Sequence, residues 1–141
     1  MNTYEKANQQ LDTVIDYVRF VSSELERSDV FFGHGTDNAW DDALVLVFHA
    51  IALPLELGQK IMHAKLLNDE GMQIMTLLEQ RILERCPTPY LTNHAKFCDL
   101  DFYVDERVLI PRSPIAELIE QQFAPWLEAD KVNNILELCT G

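Results

Sequence analysis

Two stretches near the carboxy end carry the residue types that could do chemistry. They are Ile110-Pro111-Arg112-Ser113 and the closing heptad Ile135-Leu136-Glu137-Leu138-Cys139-Thr140-Gly141. A short apolar strand ending in an acidic residue and a glycine-containing turn is how the first βα unit of a Rossmann-like domain begins. Glycine there lets the backbone approach a ligand, and a following helix would aim its amino-terminal N–H groups at it. The sequence stops at the turn, and by itself the heptad serves equally as a structural strand.

Elsewhere the reactive types are scattered. Cys86, Cys98 and Cys139 are odd in number and lack C-x-x-C spacing, which argues against a disulfide framework and a zinc site. His34, His49, His63 and His94 are spread as widely, so no metal site is expected. Gly33-His34-Gly35 invites comparison with a phosphate loop, but the glycine spacing matches neither the Walker nor the dinucleotide pattern. A packed connector anchored by Phe31 and Phe32 is the expectation. Residues 8–85 hold no nucleophile–base pair and no converging carboxylates.

The elements that must position these residues begin with helices. Leu11, Val14, Ile15, Val18, Val21 and Leu25 recur at intervals of three and four, which predicts one amphipathic helix over Asn8 to Arg27. Thr36, Asp37 and Asn38 offer caps for a second helix from Trp40 to Leu53, with Asp41 and Asp42 in its first turn to complement the dipole. That helix is apolar nearly all round and should be central, with His49 as a hydrogen-bonded core residue. A third helix is expected over Leu57 to Leu67. A fourth, capped by Asn68 or Asp69, should run to Arg85, with its methionines filling gaps in the core. Together they predict a small helical bundle with short connections.

Cys86-Pro87-Thr88-Pro89 reads as a stiff link out of that bundle. Lys96-Phe97-Cys98 and Phe102-Tyr103-Val104 suit a hairpin turning at Asp99-Leu100-Asp101, and Val108 to Ile110 should prolong the ribbon. Pro111 cannot donate to a ladder and pushes Ile110 out of the α region, so the ribbon ends there. Ser113 then fits an N-cap and Pro114 the first position of a helix reaching about Phe123.

Composition narrows the class. Eleven basic against twenty-three acidic residues give a net charge of −12, which disfavours indiscriminate nucleic-acid binding and would attract a basic partner. No apolar run approaches the ~20 residues of a membrane span. The amino terminus has neither a basic n-region nor an apolar h-region, so a cytoplasmic location is expected.

The run PTPYLTNHAKFCDLDFYVDERVLIPRSPIAELI, Pro87 to Ile119, followed by ILELCTG, resembles the protein-glutamine methyltransferases that modify the side-chain amide. It looks most like the branch acting on ribosomal protein L-three. The release-factor branch has Ile-Pro-Arg-Pro-Glu-Thr-Glu where this chain has Ile110-Pro111-Arg112-Ser113-Pro114-Ile115-Ala116-Glu117, and Leu-Gly-Thr-Gly where it has Leu138-Cys139-Thr140-Gly141. The loop FFGHGTDNAWDDA, Phe31 to Ala43, is similar to the ribosomal branch as well.

The resemblance implies a mainly α architecture: an amino-terminal helical bundle for substrate recognition (residues 1–88), a β-hairpin linker (89–112) and the truncated start of a Rossmann-like α/β methyltransferase domain (113–141). It implies an S-adenosylmethionine cofactor, with Glu137, Cys139, Thr140 and Gly141 on its methionine side and Pro111, Arg112 and Ser113 on the neighbouring wall. An ion pair of Arg112 with Glu117, tethering hairpin to helix, is an equal reading of that arginine. The family's catalytic Asn-Pro-Pro-Tyr tetrapeptide is absent, so the catalytic residues are expected beyond Gly141 and this piece is expected to be inactive and to bind cofactor poorly. A basic ribosomal protein is the implied substrate. An adenine amino-group methyltransferase of nucleic acid and a helical protein-binding module are the alternatives. A strand at Ile135–Leu138 without neighbours would be either disordered, with weak order after about Ala124, or paired with the edge of another copy, giving a dimer.

Overall fold

The computed structural model describes residues 3–138. The helix expected from Asn8 is divided in two, α1 (Thr3–Asn8) and α2 (Val14–Arg27). The break lies at Thr13, which is extended (φ −115°, ψ 160°). Its backbone N–H and its hydroxyl both donate to Asp16 Oδ2, at 2.9 and 2.6 Å. The next two amides are satisfied from far along the chain: Val14 donates to the Ala64 carbonyl at 3.0 Å and Ile15 to that of Met62 at 2.9 Å. Helix periodicity alone could not register acceptors supplied by another segment.

Both Thr13 bonds hold the Asp16 carboxyl below its ordinary value. A carboxyl with a depressed native pKa stabilises the fold above its unfolded value, near 3.8, and that contribution disappears as pH falls through the lower native value. Asp16→Asn is therefore expected to lower the urea midpoint at neutral pH by the equivalent of about 1 kcal/mol, the usual worth of such a cap. The difference between variant and wild type should vanish in strong acid. An undiminished difference there would refute the assignment.

α3 (Ala39–Ala50) starts where Asn38 Oδ1 accepts the Asp41 N–H at 2.9 Å. It is the central helix as expected: Ala39, Ala43, Leu46, Val47, Phe48 and Ala50 are buried, and α3 packs against α2, α4 and α5. His49 does not join that core. It is exposed, between buried Phe48 and Ala50.

The helix expected over Leu57 to Leu67 does not form. A short 3-10 turn (Leu55–Lys60) takes its place, broken at Gly58 with φ +40° and ψ −125°. Residues 61–67 then run alongside the start of α2, where Leu66 donates to the Asp12 carbonyl and Thr13 bridges to Lys65. α4 (Asn68–Leu83) forms where expected but ends short of Arg85, which is at positive φ, and its N-cap is Leu67 rather than Asn68 or Asp69: the Leu67 amide donates to Glu70 Oε2 at 2.7 Å. Ile74, Met75, Leu77 and Leu78 enter the core, whereas Met72 is exposed. Only glycine fits at position 71: an added Cβ would lie 2.2 Å from Asn8 Oδ1 and 2.3 Å from Tyr17 Oη.

Thr88 and Pro89, expected in a stiff link, instead open a short helix, α5 (Thr88–Thr92). Asn93 ends it in the left-handed region, and the antiparallel hairpin of β1 (His94–Phe97) and β2 (Leu100–Tyr103) follows. The hairpin turn is two residues long, Cys98-Asp99, both at positive φ, as a tight hairpin turn requires. Leu100, expected within the turn, is therefore the first residue of β2 and pairs with Phe97. Val108 to Ile110 is no ribbon: Val108 N–H turns back to the Asp105 carbonyl, and Leu109 is exposed. Ile110 alone is buried, with Ala95, Val104 and Tyr90 in a small second core.

α6 (Ile115–Glu120) follows Pro114, which is itself in the α region, and Ser113 Oγ accepts the Ile115 N–H at 3.3 Å. The helix thus starts one residue later than expected, with Pro114 rather than Ser113 at the cap position, and α6 ends short of Phe123, with Gln122 and Phe123 at positive φ. A single 3-10 turn (Ala129–Lys131) comes next. The expected Ile135–Leu138 strand makes no ladder bonds; the sheet among the described residues is the hairpin alone. Without a neighbouring strand there is nothing for its backbone to pair with, and Ile135 and Leu136 are exposed. Cys139, Thr140 and Gly141 lie outside the described residues.

Candidate functional site

The helical core, the Phe31–Asn38 loop and the exit of the hairpin meet around two arginines. Arg81 of α4 is buried and its Nε donates to Asp42 Oδ2 of α3 at 2.9 Å, with both side chains 5% exposed or less. The Thr36 hydroxyl donates to the other Asp42 oxygen at 2.9 Å, and a terminal nitrogen of Arg81 donates to the Phe31 carbonyl at 2.8 Å. The Arg81 guanidinium also stacks 5.9 Å from the centre of the Phe32 ring. Both Asp42 oxygens and two of the three Arg81 nitrogens are thus hydrogen-bonded, the kind of arrangement in which a buried pair is tolerated. It fixes the loop onto the bundle.

The loop is organised by this pair more than by its aromatics. Phe32 packs against the core as expected, but Phe31 is 68% exposed and stacks edge-on against His34 with centroids 5.6 Å apart. Sequence reading assigned Asp42 to the helix dipole and gave Arg81 no part. The signal was an arginine on the inner face of α4, which must find an anion because a buried cation without one is prohibitively costly.

Arg112 reaches the same loop from the other side, donating to the Gly33 carbonyl at 3.3 Å. The expected ion pair with Glu117 does not form; the guanidinium turns to the loop instead. His34 lies beside this contact, and partial burial together with the nearby guanidinium groups of Arg112 and Arg81 keeps its pKa below the usual imidazole range. Pro111 and Ser113 flank Arg112, and Ser113 is committed to the start of α6.

Of the expected cofactor residues, the structure therefore brings Pro111, Arg112 and Ser113 to one place beside the loop. Glu137 is not with them. It is exposed and makes no hydrogen bond or ion pair among the described residues. The remaining three lie outside the described residues. Among the described residues no His, Cys, Asp and Glu side chains cluster as metal ligands, and no helix is long and apolar enough to cross a membrane.

Two of the clefts among the described residues lie near this region. One, of about 470 Å³, lies between the end of α4 and the segment after β2, and is lined by Glu84, Tyr90, Asn93, Asp105, Glu106 and Arg107. Arg107 chelates Asp105 with both forks and holds its carboxyl down at about 2. The other, of about 590 Å³, opens between α3 and the 3-10 turn at Leu55–Lys60.

No family model matches the chain. Curated homologues do, and they are named ribosomal protein uL3 glutamine methyltransferase. The chain is 46% identical over 139 residues to the one from Neisseria meningitidis serogroup A / serotype 4A, covering 98% of this chain and 46% of that protein. With the one from Neisseria gonorrhoeae the identity is 45% over the same length and coverage. With that from Xylella fastidiosa strain 9a5c it is 45% over 135 residues, 96% of this chain and 43% of the relative. The chain spans a little under half the length of the curated relatives it matches.

Proposed function

We propose that this chain is the opening part of a glutamine methyltransferase acting on ribosomal protein uL3, comprising its recognition domain, its hairpin and the entrance to its catalytic domain. The observation that carries the reading is identity of 45–46% sustained over 96–98% of the chain with proteins of that name. The Ile110-Pro111-Arg112-Ser113 and Leu138-Cys139-Thr140-Gly141 motifs lie within this chain where the ribosomal branch differs from the release-factor branch.

The reaction moves a methyl group from S-adenosylmethionine to a glutamine amide nitrogen on a basic protein in the cytoplasm. An amide nitrogen is a poor nucleophile, because its lone pair is shared with the carbonyl. The enzyme's contribution is therefore positioning and acceptance of the N–H hydrogens. The cofactor supplies the electrophilic methyl when bound. Within this chain, Arg112 and its bond to Gly33 fix the exit of the hairpin relative to the helical bundle, and so the place where a methyltransferase domain would begin. Glu137, Cys139, Thr140 and Gly141 would complete a cofactor pocket together with residues following them in a Rossmann-like domain. Pro111 and Ser113 would border that pocket with Arg112. Left without that domain, the exposed 135–138 segment would pair with the same edge of a second copy.

Calorimetry tests this division of labour. S-adenosylmethionine should give no measurable heat with the 141-residue chain and should bind the full-length enzyme, which should then methylate a glutamine of uL3. Micromolar binding by the short chain would overturn the incomplete pocket. Absence of methylated glutamine in uL3 after incubation with the full-length enzyme would overturn the function.

A further inference from the structure

We propose that the groove between α3 and the 3-10 turn docks a basic segment of the substrate protein, with an apolar side chain of that segment seated against Trp40 and Leu55. This rests on the methyltransferase reading above and assigns the recognition to one surface.

The groove holds about 590 Å³. Phe48 at its base is buried and Leu44, Val45 and Met62 are half-buried, so the base is continuous with the main core. Trp40 and Leu55 at its edges are 42% and 45% exposed, large apolar surfaces that no part of the described chain covers. A tryptophan beside a preformed apolar depression is the usual anchor of a protein interface.

The charge around it selects the partner. Two ionisable residues line the groove, Asp37 and Asp41, and no lysine, arginine or histidine does. The Asn38 side-chain amide donates to Asp41 Oδ2 at 2.8 Å, which orients that side chain. Asp37 is exposed and makes no hydrogen bond or ion pair among the described residues. Its free carboxylate offers a guanidinium or ammonium group an unoccupied partner. A second copy of this chain is a poor occupant of the groove itself, because a chain of net charge −12 has no excess of cations to set against Asp37 and Asp41. A ribosomal protein, rich in lysine and arginine to bind RNA phosphates, has the opposite charge.

The test uses Asp37→Lys and Leu55→Ser, both at exposed positions outside the core. Fluorescence anisotropy with labelled uL3 should show binding to the 141-residue chain, weakened about five- to tenfold by either variant with unchanged thermal midpoints. Added salt should weaken the wild type more than Asp37→Lys. In the full-length enzyme, each variant should raise KM for uL3 by a similar factor and leave kcat and cofactor affinity unaltered. No binding of uL3 by the 141-residue chain, or binding and KM indifferent to both variants, would overturn the docking site. So would losses of stability and kcat on Leu55→Ser in the full-length enzyme, which would mean that its own remaining chain fills the groove. Binding that follows this pattern without any methylation of uL3 would instead overturn the enzymatic reading and leave the docking site standing.

Discussion

Asp42→Ala should cost about 3–5 kcal/mol of folding stability, the usual penalty for leaving one member of a buried ion pair without its partner. With a total of about 5–15 kcal/mol for a domain of this kind, the loss would bring the protein close to its unfolding threshold. The structural reason is that Arg81 cannot leave. Its side chain is 5% exposed, and its remaining bond, to the Phe31 carbonyl, satisfies one nitrogen without neutralising the charge. The Thr36 hydroxyl loses its acceptor at the same time. Equilibrium urea unfolding measures the effect, and a loss below about 1 kcal/mol would show that Arg81 finds water or another anion. Replacing both members, as Asp42→Leu with Arg81→Met, should recover most of the loss, since an apolar pair of similar volume avoids burying charge altogether. Recovery should be incomplete, because Phe31 and Thr36 still lack their partners.

The second large effect is expected at Gly71. Gly71→Val should destabilise by about 3 kcal/mol, at the upper end of what overpacking a close-packed site costs. Even Gly71→Ala, which gains about 1 kcal/mol in helix propensity, should lose net stability. The added carbon would sit 2.2 Å from Asn8 Oδ1 and 2.3 Å from Tyr17 Oη, with Tyr17 Cζ at 2.9 Å. Asn8 could swing aside, but Tyr17 is 2% exposed and its hydroxyl is fixed by the 2.7 Å bond to Asn8 Oδ1. In a Tyr17→Phe background the cost of Gly71→Ala should shrink. A Gly71→Ala variant more stable than wild type would mean that α1 and Tyr17 yield freely.

These two sites also mark where sequence reading stopped. α3 and α4 were legible because their apolar spacing is local and their caps, Asn38 and the amides before Glu70, lie next to them. The hairpin was legible from its β-branched and aromatic residues, although the tight turn at Cys98-Asp99 was placed too late, since neither residue advertises positive φ as glycine would. The start of α2 was missed because the carbonyls that receive its first amides lie about fifty residues downstream. The third helix was overcalled because its apolar spacing gave no sign of Gly58, whose backbone angles exclude a continuous helix. The Arg81–Asp42 pair was invisible for a related reason: 39 residues separate its members, and each has an adequate local explanation as a helix-end charge. Arg112 was singled out by motif resemblance, while the carbonyl that it engages, Gly33, could be found only in three dimensions.

The carbonyls of Met62 and Ala64 that receive the Ile15 and Val14 amides have a kinetic consequence. The first turn of α2 cannot open to solvent unless the 61–67 segment lifts away, and that segment is held in turn by the Leu66 bond to Asp12. The two regions should therefore exchange their amide hydrogens as one cooperative unit. Val14, Ile15 and Leu66 should share a single protection factor, well above the value for the ordinarily frayed beginning of a helix.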